Sequence, residues 1–116
     1  VSTSYEVVGR KRVKFSEFLK DLPDGLKVDK KAKNTKDNKC ITDGENYLWS
    51  YADTNGNLGG FDRYGVNYDH DILEAIAGHF KIRIRGEHDQ EFPSGFSSEQ
   101  KVLHRKAVVT LRKLVQ

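Results

Sequence analysis

Ile41-Thr42-Asp43-Gly44-Glu45-Asn46-Tyr47-Leu48-Trp49-Ser50-Tyr51-Ala52-Asp53-Thr54-Asn55-Gly56-Asn57-Leu58-Gly59-Gly60-Phe61-Asp62-Arg63-Tyr64 is the stretch that decides the fold. Ile41-Thr42, Asn46 to Ala52 and Leu58 to Tyr64 are β-prone, and Asp43-Gly44 and Asn55-Gly56 separate them. Asp-Gly and Asn-Gly tolerate the positive φ angles of two-residue hairpin turns, so a three-stranded antiparallel meander is expected. Along its middle strand Tyr47, Trp49 and Tyr51 alternate with Leu48, Ser50 and Ala52. Large aromatics on a central strand usually form core beneath a helix, and the row is assigned there; its other reading is an exposed platform on which bases stack. Gly59-Gly60 marks a bulge or the close approach of another backbone.

Beyond the meander, Asp71 and Glu74 read as a capping box for a helix with Ile72, Leu73, Ile76, Ala77 and Phe80 on one face and Gly78 marking its end. Phe80 to Arg85 then returns to period two. Phe80, Ile82 and Ile84 point to the core in this reading, and Lys81, Arg83 and Arg85 point away from it. Ser97 with Gln100 opens a long last helix burying Leu103, Ala107, Val108, Leu111 and Leu114 or Val115. Before the meander, Tyr5 to Val8 is a strand ending at Gly9. Arg10 to Phe15 reads as a second, half-buried strand, with Val13 and Phe15 inward and Arg12 and Lys14 outward. Ser16 is the expected N-cap of a short helix carrying Phe18, Leu19 and Leu22, stopped by Pro23. Residues 27–39 are lysine-rich with almost nothing to bury and are read as a flexible loop.

The order β-β-α, β-β-β, α-β-α gives an α+β fold. Its antiparallel sheet is the central meander plus flanking strands, with two to three helices packed mainly on one face. A chain of 116 residues is one domain with one core. No internal repeat is visible, and no apolar run is long enough to span a bilayer. Cys40, the one cysteine, is read as a small buried residue entering a strand; it forms no internal disulfide and fits a reducing, cytoplasmic setting.

Charge is segregated. Residues 1–39 hold 11 Lys/Arg and 6 Asp/Glu, residues 40–100 hold 4 and 11, and residues 101–116 hold 5 and none. Three basic stripes arise on separate elements: Arg10, Arg12 and Lys14; Lys81, Arg83 and Arg85; and Lys101, Arg105 and Arg112 on the last helix. Alternate strand residues lie about 7 Å apart, a spacing that suits successive phosphates. The plainer reading is that these cations pair with the acids of the central block.

Asp69-His70-Asp71 and Glu87-His88-Asp89 lack metal-ligand spacing and read as solvated or capping charge, so no metal or cofactor is expected. Phosphate-loop, dinucleotide, nucleophile-elbow, zinc and calcium-loop motifs are all missing from the sequence. The leading expectation is a small cytoplasmic regulatory or accessory protein, of the kind found in phages or mobile elements. It would bind the phosphate backbone of RNA or DNA, or else an acidic protein, through its basic faces, with weak self-association as a further possibility. One alternative is a metal-independent ribonuclease or toxin domain using His88 with Arg83 or Arg85. Another is an inhibitor- or immunity-type module that binds a protein through the acidic central block.

Overall fold

The structure, a computed structural model, describes residues 2–64 and 70–94. In chain order the elements are β1 (Ser2–Val8), α1 (Phe15–Lys20), β2 (Lys27–Val28), β3 (Asn38–Thr42), β4 (Tyr47–Ala52), β5 (Leu58–Tyr64), α2 (His70–Phe80), β6 (Arg83–Gly86) and β7 (Glu91–Phe92). The expected last helix, with Lys101, Arg105 and Arg112, lies outside the described residues.

The meander forms, but its turns are longer than two residues. Thr42 pairs with Tyr47 and Ala52 with Leu58, so residues 43–46 and 53–57 make the connections. In each, the first aspartate stitches the turn. Asp43 Oδ1 accepts the N–H groups of Glu45 at 2.9 Å and Asn46 at 2.7 Å, and Asp53 Oδ1 accepts those of Asn55 at 2.8 Å and Asn57 at 3.0 Å. Gly44 at φ 101° and Gly56 at φ 79° supply the left-handed residue each turn needs.

Around this meander a seven-stranded sheet assembles in the order β2-β3-β4-β5-β1-β6-β7. Every neighbouring pair is antiparallel. The first strand of the chain thus lies between the last strand of the meander and β6. Tyr5 and Val7, Ile41, Leu48, Phe61, Ile84 and Phe92 are buried on one face of the sheet. They join Phe15 and Phe18 of α1 and Ile72, Leu73, Ile76 and Ala77 of α2 in a single core. Phe18 is its hinge point, with its ring centroid 5.9 Å from Phe61 and 5.5 Å from Phe80. Both described helices therefore pack on the same side. No described helix is long and apolar enough to cross a membrane.

Several local expectations are corrected. Residues 10–13 form no strand, because both edges of β1 are already taken by β5 and β6. Gly9, at φ 90°, turns the chain out of the sheet. Val13 and Phe15 are then held beside the start of β5, where the Leu58 N–H donates to the Val13 carbonyl at 2.7 Å and the Phe15 N–H to that of Gly56 at 2.9 Å. Lys14, not Ser16, occupies the N-cap of α1, and it makes no side-chain cap bond. Asp71 sits inside the first turn of α2 rather than before it. Glu74 does not close a capping box; its carboxylate accepts the Ser94 N–H.

α2 also runs through Gly78 to Phe80, and Lys81, at φ 55°, ends it. The Ile82 N–H then reaches back to the Ala77 carbonyl at 3.1 Å, closing the helix in the manner of a Schellman turn with lysine at the position usually held by glycine. Phe80 and Lys81 are thus not strand residues, although Ile82 and Ile84 are buried and Arg83 and Arg85 exposed as the alternation requires.

The lysine-rich stretch contains β2 and a loop tied by its own polar groups. Asn34 bridges it: its Nδ2 donates to the Asp29 carbonyl at 2.8 Å, and its Oδ1 accepts the Cys40 N–H at 2.9 Å. Lys30, Lys31, Lys33 and Lys36 stay exposed on this loop.

Candidate nucleic-acid interface

A fully antiparallel sheet sorts its connections onto two ends. At one end lie residues 9–14 leaving β1, the β2–β3 loop 29–37, the β4–β5 turn 53–57 and Lys81 entering β6. These connections carry Arg10, Lys11, Arg12, Lys14, Lys30, Lys31, Lys33, Lys36 and Lys81 against Asp29, Asp37 and Asp53. At the opposite end, turns 43–46 and 87–90 carry Asp43, Glu45, Glu87 and Asp89 and no lysine or arginine. Lys27, paired with Thr42, also lies at this second end, so among the described connections one end of the sheet is mainly basic and the other mainly acidic.

Two segments about 70 residues apart meet at the basic end. Val8 is the cross-strand partner of Arg83, so the segment that leaves β1 and the start of β6 lie at the same end of the sheet. Arg12 is fixed there by an Nη1 bond of 2.6 Å to the Val7 carbonyl. Arg10, Lys11, Arg12, Lys14 and Lys81 are exposed and make no ion pair with a carboxylate among the described residues. Four strand spacings separate β3 from β6, so this end is about 19 Å wide.

The strand cations are partly neutralised. Arg83 lies 3.7 Å from Glu91 and Arg85 lies 3.1 Å from Glu6. Such exposed pairs contribute about 0–1 kcal/mol and open readily to a better partner.

Arg83 and Arg85 share the sheet face opposite α1 and α2 with an unexpected row. Ile41 stands across from Leu48, and Phe61 across from Ser50, so Leu48 and Ser50 take the core side of β4. Tyr47, Trp49 and Tyr51 must then point to the outer face, which corrects their assignment to the core. Tyr47 is 51% exposed, and Trp49 and Tyr51 are half-buried. Ser50 is tolerated inside because its Oγ donates to the Lys39 carbonyl at 2.7 Å. The cue in the sequence was the alternation: turning Leu48 inward with Ile41 and Phe61 turns Tyr47, Trp49 and Tyr51 outward.

Tyr51 lies across Gly60, its cross-strand neighbour, where a Cβ would strike the tyrosine hydroxyl and the Tyr5 carbonyl. The close approach anticipated at Gly59-Gly60 is therefore of both a backbone and a ring. Burial first, then the carboxylates of Asp62 and Glu6, push the Tyr51 phenol above its ordinary range. Beside it opens a cavity of about 380 Å³ lined by Glu6, Tyr51, Arg85, Gly86, Glu87 and Asp89, among others.

Comparison with protein-family models, curated proteins and solved structures finds no match.

The remaining candidates are placed as follows. His88 is exposed in the β6–β7 turn, its N–H on Gln90 Oε1 at 3.2 Å. Arg83 is at the far end of β6, about 10 Å away along the strand before the turn is counted. His70 packs its ring 5.3 Å from Phe92, and His79 pairs with Asp21 at 3.2 Å, joining the ends of α2 and α1. Neither contact was visible in the sequence. Among the described residues no three His, Cys, Asp or Glu side chains gather as metal ligands. Cys40 is buried in β3, and burial, then the charge of Asp29, raise its thiol pKa, disfavouring the thiolate.

Proposed function

We propose that the protein is a nucleic-acid-binding module of a regulatory or accessory kind that holds phosphates at the basic end of its sheet. The single observation that carries this reading is the placement of Arg10, Lys11, Arg12, Lys14 and Lys81 with the lysines of the β2–β3 loop at one end of the sheet, exposed and without carboxylate partners among the described residues. Clustered, exposed cations without carboxylate partners gain most from a polyanion, because each phosphate neutralised releases condensed counterions. The β2–β3 loop lysines extend the same end, and its width of about 19 Å accommodates about three phosphates of an extended strand. Arg83 and Arg85 continue the track onto the outer face, beside aromatic rings suited to stacking.

Fluorescence anisotropy with labelled single- and double-stranded RNA and DNA tests the reading. Binding is expected at low salt, with the logarithm of affinity falling with log salt at a slope of about −3 to −4 for a single strand. Joint reversal of Arg10→Glu and Lys81→Glu is expected to weaken it by at least about tenfold and flatten the slope. Absence of binding to all four probes at low salt would overturn the function.

One further reading has its own observation. Asp43, Glu45, Glu87 and Asp89 make the opposite end an acidic surface suited to a basic protein. Recovery of a stoichiometric basic partner from nuclease-treated lysate, lost on Glu45→Lys, would favour that inhibitor-type role. The ribonuclease alternative draws no support from the placement of His88 and Arg83, which lie at opposite ends of β6.

A further inference from the structure

We infer that the cavity between β1, Tyr51 of β4 and the β6–β7 turn seats one unpaired guanine of a single-stranded nucleic acid, stacked against the Tyr51 ring. This rests on the nucleic-acid reading above and adds to it a strandedness and a base.

The cavity, at about 380 Å³, is of a size found for small-ligand sites. Its lining mixes a flat aromatic ring with three carboxylates, Glu6, Glu87 and Asp89, and one guanidinium, Arg85. The excess of negative charge repels a phosphate from the cavity itself and favours a neutral group rich in hydrogen-bond donors. Glu87 is already positioned, its Oε1 accepting the Ser4 N–H at 2.8 Å. Glu6 and Arg85 stand 3.1 Å apart, so a carboxylate and a guanidinium are presented side by side.

Guanine carries the complementary edge. Its N1–H and N2–H groups are parallel donors that fit the two oxygens of one carboxylate, and its O6 and N7 are acceptors for an arginine. Adenine and cytosine each set one amino donor beside an acceptor, and uracil sets one imino donor between two carbonyls. None of the three offers a carboxylate two parallel donors. In a duplex the Watson–Crick edge is already used by cytosine, which restricts the site to unpaired guanine.

Position supports the same occupant. Arg83 lies two residues from Arg85 on the same face, about 7 Å along the strand, the spacing of one nucleotide to the next. A strand held at the basic end therefore enters the outer face past Arg83 with a base beside Tyr51. Gly60 is what allows the ring to lie flat there. A basic protein side chain is the rival occupant. The carboxylates would welcome it, and Arg85 would oppose it.

The test uses the whole chain and four oligouridylates of about 12 nucleotides, one all-uridine and three carrying one central guanine, adenine or cytosine. The guanine probe is expected to bind about tenfold more tightly than the other three, and annealing it to its complement should remove the advantage. Glu6→Gln and, separately, Tyr51→Leu should abolish the guanine preference, so that each variant binds the guanine and all-uridine probes within about twofold of one another. Equal affinity for all four probes would overturn the proposal and leave nucleic-acid binding standing. Titrating guanosine alone, followed by amide chemical shifts, examines the cavity without the chain. Shifts at Gly86 and Asp89 support the site even if no oligonucleotide binds. Shifts there with argininamide but none with guanosine would overturn it and assign the cavity to a basic peptide.

Discussion

Gly60 is the residue on which the outer face depends. With any side chain there, a Cβ collides with the Tyr5 carbonyl, which belongs to the backbone of the neighbouring strand and cannot rotate away. Gly60→Ala is therefore expected to destabilise the fold by about 1–3 kcal/mol in urea denaturation and to lift the Tyr51 ring from the sheet. Tyr51 provides the second readout. Its phenol pKa is raised in the folded state above the ordinary 10.0, so the native protein holds that proton more tightly than the unfolded chain. The stability this contributes is present below about pH 10 and is lost as pH rises through the folded value. In Gly60→Ala the phenol should titrate closer to its ordinary value, as followed by tyrosinate absorbance. The glycine pair was conspicuous in the sequence as a place of close approach, but the identity of the approaching ring depended on the register of β4 against β5.

α1 illustrates how little of a short element is local. It has six residues, too few to be stable alone, and its N-cap residue Lys14 contributes no side-chain bond. What holds it is Phe18, fully buried between Phe61 and Phe80. Phe18→Ala is expected to cost about 3–5 kcal/mol, whereas Ser16→Ala, at an exposed position inside the helix, should stay within about 0.5 kcal/mol. Chemical denaturation of the two variants side by side checks this; a large loss in the serine variant would restore it as the cap. The same logic explains which elements were legible. The meander was, because Asp43-Gly44 and Asn55-Gly56 are local turn chemistry. The alternation of Ile82 to Arg85 was too. Arg10 to Phe15 was not, because its strand-like pattern had no free sheet edge to join.

At the scale of the molecule, electrostatics is polar along the strand direction. Glu45 lies at the acidic end, about 20 Å from the basic end along β4, well beyond the screening length of about 8 Å at physiological salt. Glu45→Lys and Arg10→Glu change net charge by equal and opposite amounts. The first is expected to alter oligonucleotide affinity by less than about twofold, and the second to lower it by about fivefold or more, read by anisotropy at physiological salt. Comparable effects from both would mean that total charge, not the basic end, governs binding.

The sequence by itself determined the α+β class, the antiparallel meander, the helix of Ile72 to Phe80 and the outward orientation of Arg83 and Arg85. Those features rest on turn chemistry and periodicities spanning a few residues. Only the tertiary structure decided that β1 enters between β5 and β6, that Tyr47, Trp49 and Tyr51 face outward, and that the segment after β1 and the start of β6 share one end of the sheet. Each of these is a pairing between segments far apart in the chain. A one-residue slip in register would reverse every side chain of a strand, and local propensity carries no information about that choice.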